Sequence, residues 1–245
     1  MSIYEQEIIH CRCSVYFPLI IINTCSIIYI CSKKEDHHML QFRLAREDEL
    51  PQVAALLDDS FQNYSFFDLL CEKVTKRSAF ARQLHLINTK VYFQHQICLV
   101  GVENEKIVSA ALLKHPRLPE PGLMDYVLSG GLKLLFTGGI SAIQHVFRML
   151  KEAKKACSSL KKPYWYLEAL VVAKDQQGKK LGSRMLKQCL FPFISRQGGG
   201  LFTLITHNEA NRHFYRKNGW TEFDERVLHG ENMSLESWSY KTVIK

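Results

Sequence analysis

Leu167-Glu168-Ala169-Leu170-Val171-Val172-Ala173-Lys174-Asp175-Gln176-Gln177-Gly178-Lys179-Lys180-Leu181-Gly182-Ser183 is the stretch on which the reading of this chain turns. Its first six residues are apolar apart from Glu168, which suits a buried strand. A tight turn containing Gly178 follows, and a helix is expected to begin there, running from about Lys180 to Ser195. The free N–H groups at a helix start, together with its dipole, make a site for an anion. Lys179, Lys180 and Arg184 add positive charge around it. A pyrophosphate or a 3′-phosphate suits such a place. An ordinary strand-to-helix turn of any α/β protein is the competing reading, because short glycine motifs recur widely.

Working outward, the strand is expected to begin at Tyr164, and Gly198-Gly199-Gly200 leads into a further strand, Leu201 to Thr206. A helix from Glu209 to Asn218 stops at Gly219, a suitable left-handed cap. Strands at Trp220 to Val227 and Glu236 to Ile244 close the series. Upstream, Phe42 to Arg46 reads as a first strand, followed by Glu47-Asp48-Glu49 at the positive end of a helix dipole. Val53, Leu56 and Leu57 continue that helix at helical spacing, and a second helical stretch is expected from about Phe66 to Leu86. Ile97 to Val102 and Ile107 to Leu113 form a hairpin over the turn Glu103 to Lys106. Residues 116–162 differ in character. Pro116, Pro119 and Pro121 open the segment, and two amphipathic helical patterns follow, broken at Gly138-Gly139. The order is that of a single layered α/β domain over residues 40–245.

A second stretch joins the first. Asn208-Glu209-Ala210-Asn211-Arg212-His213-Phe214-Tyr215-Arg216-Lys217-Asn218-Gly219-Trp220 places an Asn seven residues before a Tyr, then a Gly and an aromatic residue at the next strand. Taken alone it is an amphipathic helix with a glycine cap, and Tyr215 is packing. Taken with Gln177-Gly178-Lys179-Lys180-Leu181-Gly182, it resembles the GNAT superfamily of acyl-CoA-dependent N-acetyltransferases. That family's phosphate signature is Gln or Arg, two residues, Gly, one residue, then Gly or Ala. The match holds at both ends, and Lys180 stands where a glycine is usual. A lysine there is expected to hold a helical backbone conformation. The likeness is sharp from Tyr164 to Trp220 and extends as an element order over residues 39–245.

The resemblance implies an α/β (α+β) fold: a mixed, mostly antiparallel central sheet flanked by helices, with the helical insert 116–162 between the third and fourth strands on the acceptor side. It implies acetyl-CoA as acyl donor, held by Leu170, Val171, Val172, Gln177, Gly178, Lys179, Lys180, Leu181, Gly182, Ser183, Asn208 and Asn211. A backbone N–H near Leu170 to Val172 would pair with the pantetheine arm and stabilise an oxyanion. Tyr215 would protonate the leaving thiolate, since a phenol with an ordinary pKa of about 10 keeps its proton at neutral pH. Strict alternation along the fourth strand puts Tyr166, Glu168, Leu170 and Val172 on one face, and Trp165, Leu167, Ala169 and Val171 on the other. Glu168, between apolar neighbours, is the candidate general base, burial being expected to raise its pKa. The alternative is a partly exposed Glu with no catalytic part. The acceptor would be a small-molecule amine, attacked directly without an acyl-enzyme.

The totals agree. The chain has 245 residues, 47% apolar and 23% charged, the balance of a globular protein. The formal net charge of +8 favours an anionic partner, and a phosphate-rich cofactor accounts for much of it. No helix-turn-helix, zinc-finger or aromatic RNA-binding pattern accompanies that charge, so a specific nucleic-acid partner is not expected. The eight cysteines form no C-x-x-C pair, and no bound metal is expected. Cys71, Cys98 and Cys189 lie in apolar runs as reduced packing residues, which points to the cytoplasm. Residues 1–39 form an apolar extension. Val15 to Cys31 is uncharged but at the lower limit of membrane-spanning length, about 17 residues, so a membrane contact through 15–31 is the less favoured reading. An acyl-CoA-binding sensor or scaffold of the same fold is the alternative function. Oligomeric state is left open.

Overall fold

The structure is a computed structural model that describes residues 40–245. The apolar extension 1–39, including the 15–31 run, lies outside the described residues.

Seven strands form one sheet in the order β1-β2-β3-β4-β5-β7-β6. They are β1 (Gln41–Leu44), β2 (Ile97–Glu103), β3 (Lys106–Lys114), β4 (Tyr164–Val172), β5 (Gly200–Thr206), β6 (Thr221–His229) and β7 (Ser234–Ile244). Every neighbouring pair is antiparallel except β4 with β5, which run parallel. The β2–β3 turn places Asn104 and Glu105 at φ +49° and +64°, the left-handed pair that a tight hairpin requires.

Helices cover both faces. On one face α1 (Leu50–Phe61), α2 (Ser65–Leu70) and α3 (Arg77–His95) pack with the insert helix α5 (Leu132–Ser158), which the short α4 (Leu123–Tyr126) precedes. On the other lie α6 (Leu181–Arg184) and α7 (Phe191–Arg196), continuous through a π-helical stretch Met185–Leu190, and α8 (Glu209–Lys217). The core on the second face is one continuous cluster, and Trp165, Trp238, Tyr240 and Phe202 are fully enclosed in it.

Three sequence expectations need correction. The helix expected over 66–86 is two helices, broken at Cys71–Lys76. The break turns the Glu72 carboxylate towards the β6–β7 hairpin, where it accepts the backbone N–H groups of Glu231 (2.8 Å) and Asn232. The insert is interrupted twice, at Gly130 (φ +105°) as well as at Gly139 (φ +74°). Gly138 is needed for a different reason: a Cβ there would come within 2.5 Å of the Phe80 ring, so α5 meets α3 through bare backbone.

The third correction concerns β4. Leu112 pairs with Ala169 and Leu113 with Leu167, so Glu168 is the extra residue of a β-bulge. Alternation therefore resets at Glu168. Leu170 and Val172 pack with Trp165 and Leu167 on the α6–α8 face, while Ala169 and Val171 pack on the α1–α3 face.

The span from Leu123 to Ser158 is long and apolar enough to cross a membrane by length and composition. One side of it packs Ala142, Val146, Met149 and Ala153 into the domain, and the other leaves Leu128 and Phe136 exposed.

Candidate active site

The parallel β4–β5 pairing consists of four residue pairs, from Tyr164–Leu201 to Leu167–Leu204. Beyond Leu167 the two strands part. Among the described residues the β4 edge from Glu168 to Val172 thus has no strand partner on the β5 side, although its other edge stays paired with β3. The bulge at Glu168 sits at the point of separation.

A cavity of ≈ 320 Å³ occupies this opening. Tyr166, Glu168 and Ile205 line it from the α1–α3 side of the sheet, and Leu170 and Tyr215 from the other, so it passes through the sheet where the strands part. The insert roofs it with Leu134, Val146, Leu150 and Lys154, and Phe61, Phe67 and His85 close the far wall.

Glu168 is the one carboxylate among the lining residues. Its Oε2 accepts a hydrogen bond from Lys154 Nζ at 2.6 Å and another from the Tyr92 hydroxyl at 3.0 Å. Its Oε1 accepts none from a described residue. The sequence-based picture of a carboxylate between apolar neighbours is thus incomplete, since two polar partners from α5 and α3 hold it. Burial, reinforced by the nearby carboxylate, pushes the Tyr92 phenol well above its ordinary value, so it remains a donor.

Tyr215, on α8, is 8% exposed, and its hydroxyl makes no hydrogen bond to a described residue. Its ring lies against Phe214, Trp220 and Tyr240, which fixes its direction. Burial raises its pKa, so the phenol is a neutral proton donor at physiological pH. The α8 N-terminus is capped by the Asn208 side chain, which accepts from the Ala210 N–H at 2.7 Å. Gly219 ends the helix at φ +85°, in the left-handed region expected of it.

At the end of β4 the Gln177 side chain donates to the Val172 carbonyl at 3.1 Å and ties the loop to the strand. Gly178 (φ +77°) and Lys180 (φ +61°, ψ +14°) are both left-handed, and α6 begins at Leu181. The expectation that Lys180 holds a helical conformation is therefore incorrect: the backbone keeps the shape a glycine would give it, with the lysine strained into it. Such strain costs about 1–2 kcal/mol. Lys179, Lys180 and Arg184 all extend into solvent beside the turn. Gly182 lets α6 approach α8, since a Cβ there would stand 3.2 Å from the Phe214 ring.

Residues 144–222 match the family model described as an acetyltransferase (GNAT) domain. Among solved structures, an acetyltransferase from Corynebacterium glutamicum described as histone acetyltransferase HPA2 and related aligns with TM-score 0.57 at 20% identity, over 82% of this chain and 94% of that one. The fold is GNAT-like. It is also similar to that of an agmatine N-acetyltransferase (TM-score 0.55, 14% identity, 83% of this chain and 99% of that one). A polyamine N-acetyltransferase from Drosophila melanogaster that forms N-acetylagmatine aligns with TM-score 0.53 at 13% identity, over 84% of this chain and all of that one. At these identities the likeness establishes the fold. No curated protein matches the chain.

The residues of this GNAT-like fold fit acetyl-CoA. The unpaired β4 edge beside Leu170, Val171 and Val172 offers backbone groups to an extended amide-bearing arm. The left-handed turn at Gly178–Lys180 leads into α6, whose first N–H groups, those of Leu181, Gly182 and Ser183, have no partner within the helix, and three exposed cations stand beside them. Space around Gly178 is open, as nothing lies within 4 Å of where its Cβ would be.

Asn211 lines the cavity with Glu168 and Tyr215, whereas Asn208 is engaged as the helix cap. Three cavity residues were not singled out from sequence: Lys154, Tyr64 and His207. The Tyr64 hydroxyl accepts the His207 backbone N–H at 2.9 Å and lies 3.3 Å from its Nδ1. The His207 ring stacks on Phe66 with centroids 3.9 Å apart, and burial pushes its pKa down to about 3. No spacing rule brings these residues together, because they come from the residue before α2, from α5 and from the residue after β5. Among the described residues no group of three His, Cys, Asp or Glu is placed to hold a metal.

Proposed function

We propose that the chain is an N-acetyltransferase that moves an acetyl group from acetyl-CoA to a primary amine of a small molecule by direct attack. The observation that carries this reading is the cavity through the sheet at the β4–β5 separation, which joins a carboxylate, Glu168, to a neutral phenol, Tyr215.

Acetyl-CoA bound along the β4 edge would supply an acetyl thioester, a carbonyl activated for attack by nitrogen. The loop Gln177 to Ser183 would hold its phosphates, the backbone of Leu170 to Val172 its pantetheine arm, and Asn208 and Asn211 would complete its contacts. Glu168 receives the proton that an ammonium must lose before its nitrogen can bond to the carbonyl carbon, directly or through one water. Its Oε1 is the atom left for this. A backbone N–H of the unpaired β4 edge stabilises the developing oxyanion. As the C–S bond breaks, Tyr215 gives its proton to the sulfur, the nitrogen, made cationic by the attack, releases its second proton to water, and exchange with solvent returns Tyr215 and Glu168 to their starting protonation.

Among the described residues the thiols offer no competing nucleophile. Cys71, Cys98, Cys157 and Cys189 are buried, and burial raises all four, to between about 11 and about 12, so none is a thiolate at neutral pH. Such reduced, buried cysteines also support our placing the chain in the cytoplasm.

A second reading, an acyl-CoA-binding sensor without turnover, has one observation in its favour: Lys154 already pairs with Glu168. Mass spectrometry after incubation with acetyl-CoA and amines separates the two. Acetylated amine, with unmodified protein and with loss of product in Glu168→Gln, supports direct transfer. Acetyl carried on a cysteine overturns it, and stoichiometric cofactor binding without any acetylated amine favours the sensor.

A further inference from the structure

The cavity wall is chemically one-sided. Phe61, Phe67, Leu84, Ile143, Val146 and Leu150 enclose most of it, and Glu168 is its single carboxylate. That carboxylate is already shared with the one lysine of the wall, Lys154. The remaining polar lining is neutral: Asn88, Thr206, Asn211 and the tyrosines. His85 and His207 also face the cavity, and burial holds them uncharged at neutral pH, with pKa values near 4 and 3.

A ligand with one ammonium finds one partner here, the Oε1 of Glu168. A second ammonium along the same ligand would leave water with no counter-charge to meet it, and burying an unpaired charge is strongly unfavourable. An apolar body of the right size instead gains contact with aromatic and aliphatic side chains on every side. The volume of ≈ 320 Å³ is at the small end of ligand pockets, about 300–1,000 Å³, which suits a single ring or a short chain.

We infer that the acceptor is a monoamine with an apolar body, an arylalkyl or short alkyl amine, whose ammonium meets Glu168 while its body lies against α3 and the insert helix α5. Polyamines and agmatine, the acceptors named for two of the similar folds, are rejected by this wall. The inference rests on the acyl-transfer reading above and specifies its acceptor.

The test has two readouts on the full chain. Calorimetric binding compares 2-phenylethylamine, tryptamine and hexylamine with agmatine, putrescine and spermidine, and thiol release from acetyl-CoA gives kcat/KM for each. Both are expected to favour the apolar monoamines at least tenfold. Asn88→Asp, which adds a carboxylate to the wall at unchanged shape, is expected to narrow that ratio at least fivefold by improving the diamines. Faster turnover of agmatine or putrescine would overturn the inference while leaving acetyl transfer intact. Tight binding of the monoamines without thiol release would instead sustain the ligand class and refute the transferase. A preference for long-chain acyl-CoA with small polar amines would assign the apolar wall to the acyl chain, and the inference would fail.

Discussion

Glu168 illustrates how much a single position must satisfy. As the extra residue of a bulge it leaves the regular ladder, and its Oε2 is fixed by Lys154 and Tyr92 while Oε1 faces the cavity without a described partner. Glu168→Gln keeps the shape and removes the basicity, so kcat should fall about 10²–10⁴-fold, the usual worth of a positioned acid or base. The KM for acetyl-CoA should change little in steady-state assays of this variant. Tyr215→Phe is expected to lower kcat at least tenfold with a larger effect on poor thiolate leaving groups, since only the donated proton is lost. Lys180 offers a stability test. Lys180→Gly should raise the midpoint of urea unfolding, by about 1 kcal/mol in stability, because the left-handed strain disappears. Lys180→Ala keeps the strain and loses the charge, so it should show no such gain and should bind acetyl-CoA more weakly. Equal stability of the two variants would remove strain from the account.

Elements were legible from sequence to the extent that their signals are local. The β2–β3 hairpin, β4 and the left-handed ending of α8 follow from short-range pattern, and each stands where it was expected. The bulge did not show, because it depends on the register that β3 imposes across the sheet. The break between α2 and α3 was invisible for a similar reason: Glu72 is fixed by a hairpin about 160 residues away, and no Gly or Pro marks the place. Lys154 sits among the lysines that end the insert, and only tertiary packing turns it towards Glu168. The insert also carries the sharpest prediction at this scale. In Gly138→Val the new side chain collides with the Phe80 ring, and overpacking of this kind costs about 1–3 kcal/mol. Urea unfolding should show that loss, and activity on apolar amines should fall with it, because the α3–α5 wall of the cavity is displaced.

At the scale of the molecule, the fold class was readable because two distant stretches, Gln177–Gly182 and Asn208–Trp220, each match in order and spacing. Their meeting across the β4–β5 separation was not, since parting of the strands leaves no mark in composition. The whole domain should also respond to acid in a defined window. His85 and His207 are held neutral by burial, with pKa values near 4 and 3 against an ordinary 6.5. The unfolded chain therefore takes up protons first as the pH falls, and stability present above about pH 6.5 is lost progressively towards pH 4 and below. His85, stacked on Phe61, can be replaced by Phe with its burial retained. Thermal unfolding of His85→Phe should decline less steeply than wild type between pH 6.5 and 4, and an unchanged slope would contradict the assignment.

The central claim is that the opening between β4 and β5 transfers acetyl groups to amines. It is tested most directly by following free thiol released from acetyl-CoA by the full chain, with and without 2-phenylethylamine. The account predicts release that depends on the amine, saturates with it, and is lost in Glu168→Gln although acetyl-CoA still stabilises that variant. Release independent of amine, or retained in full by Glu168→Gln, would contradict it.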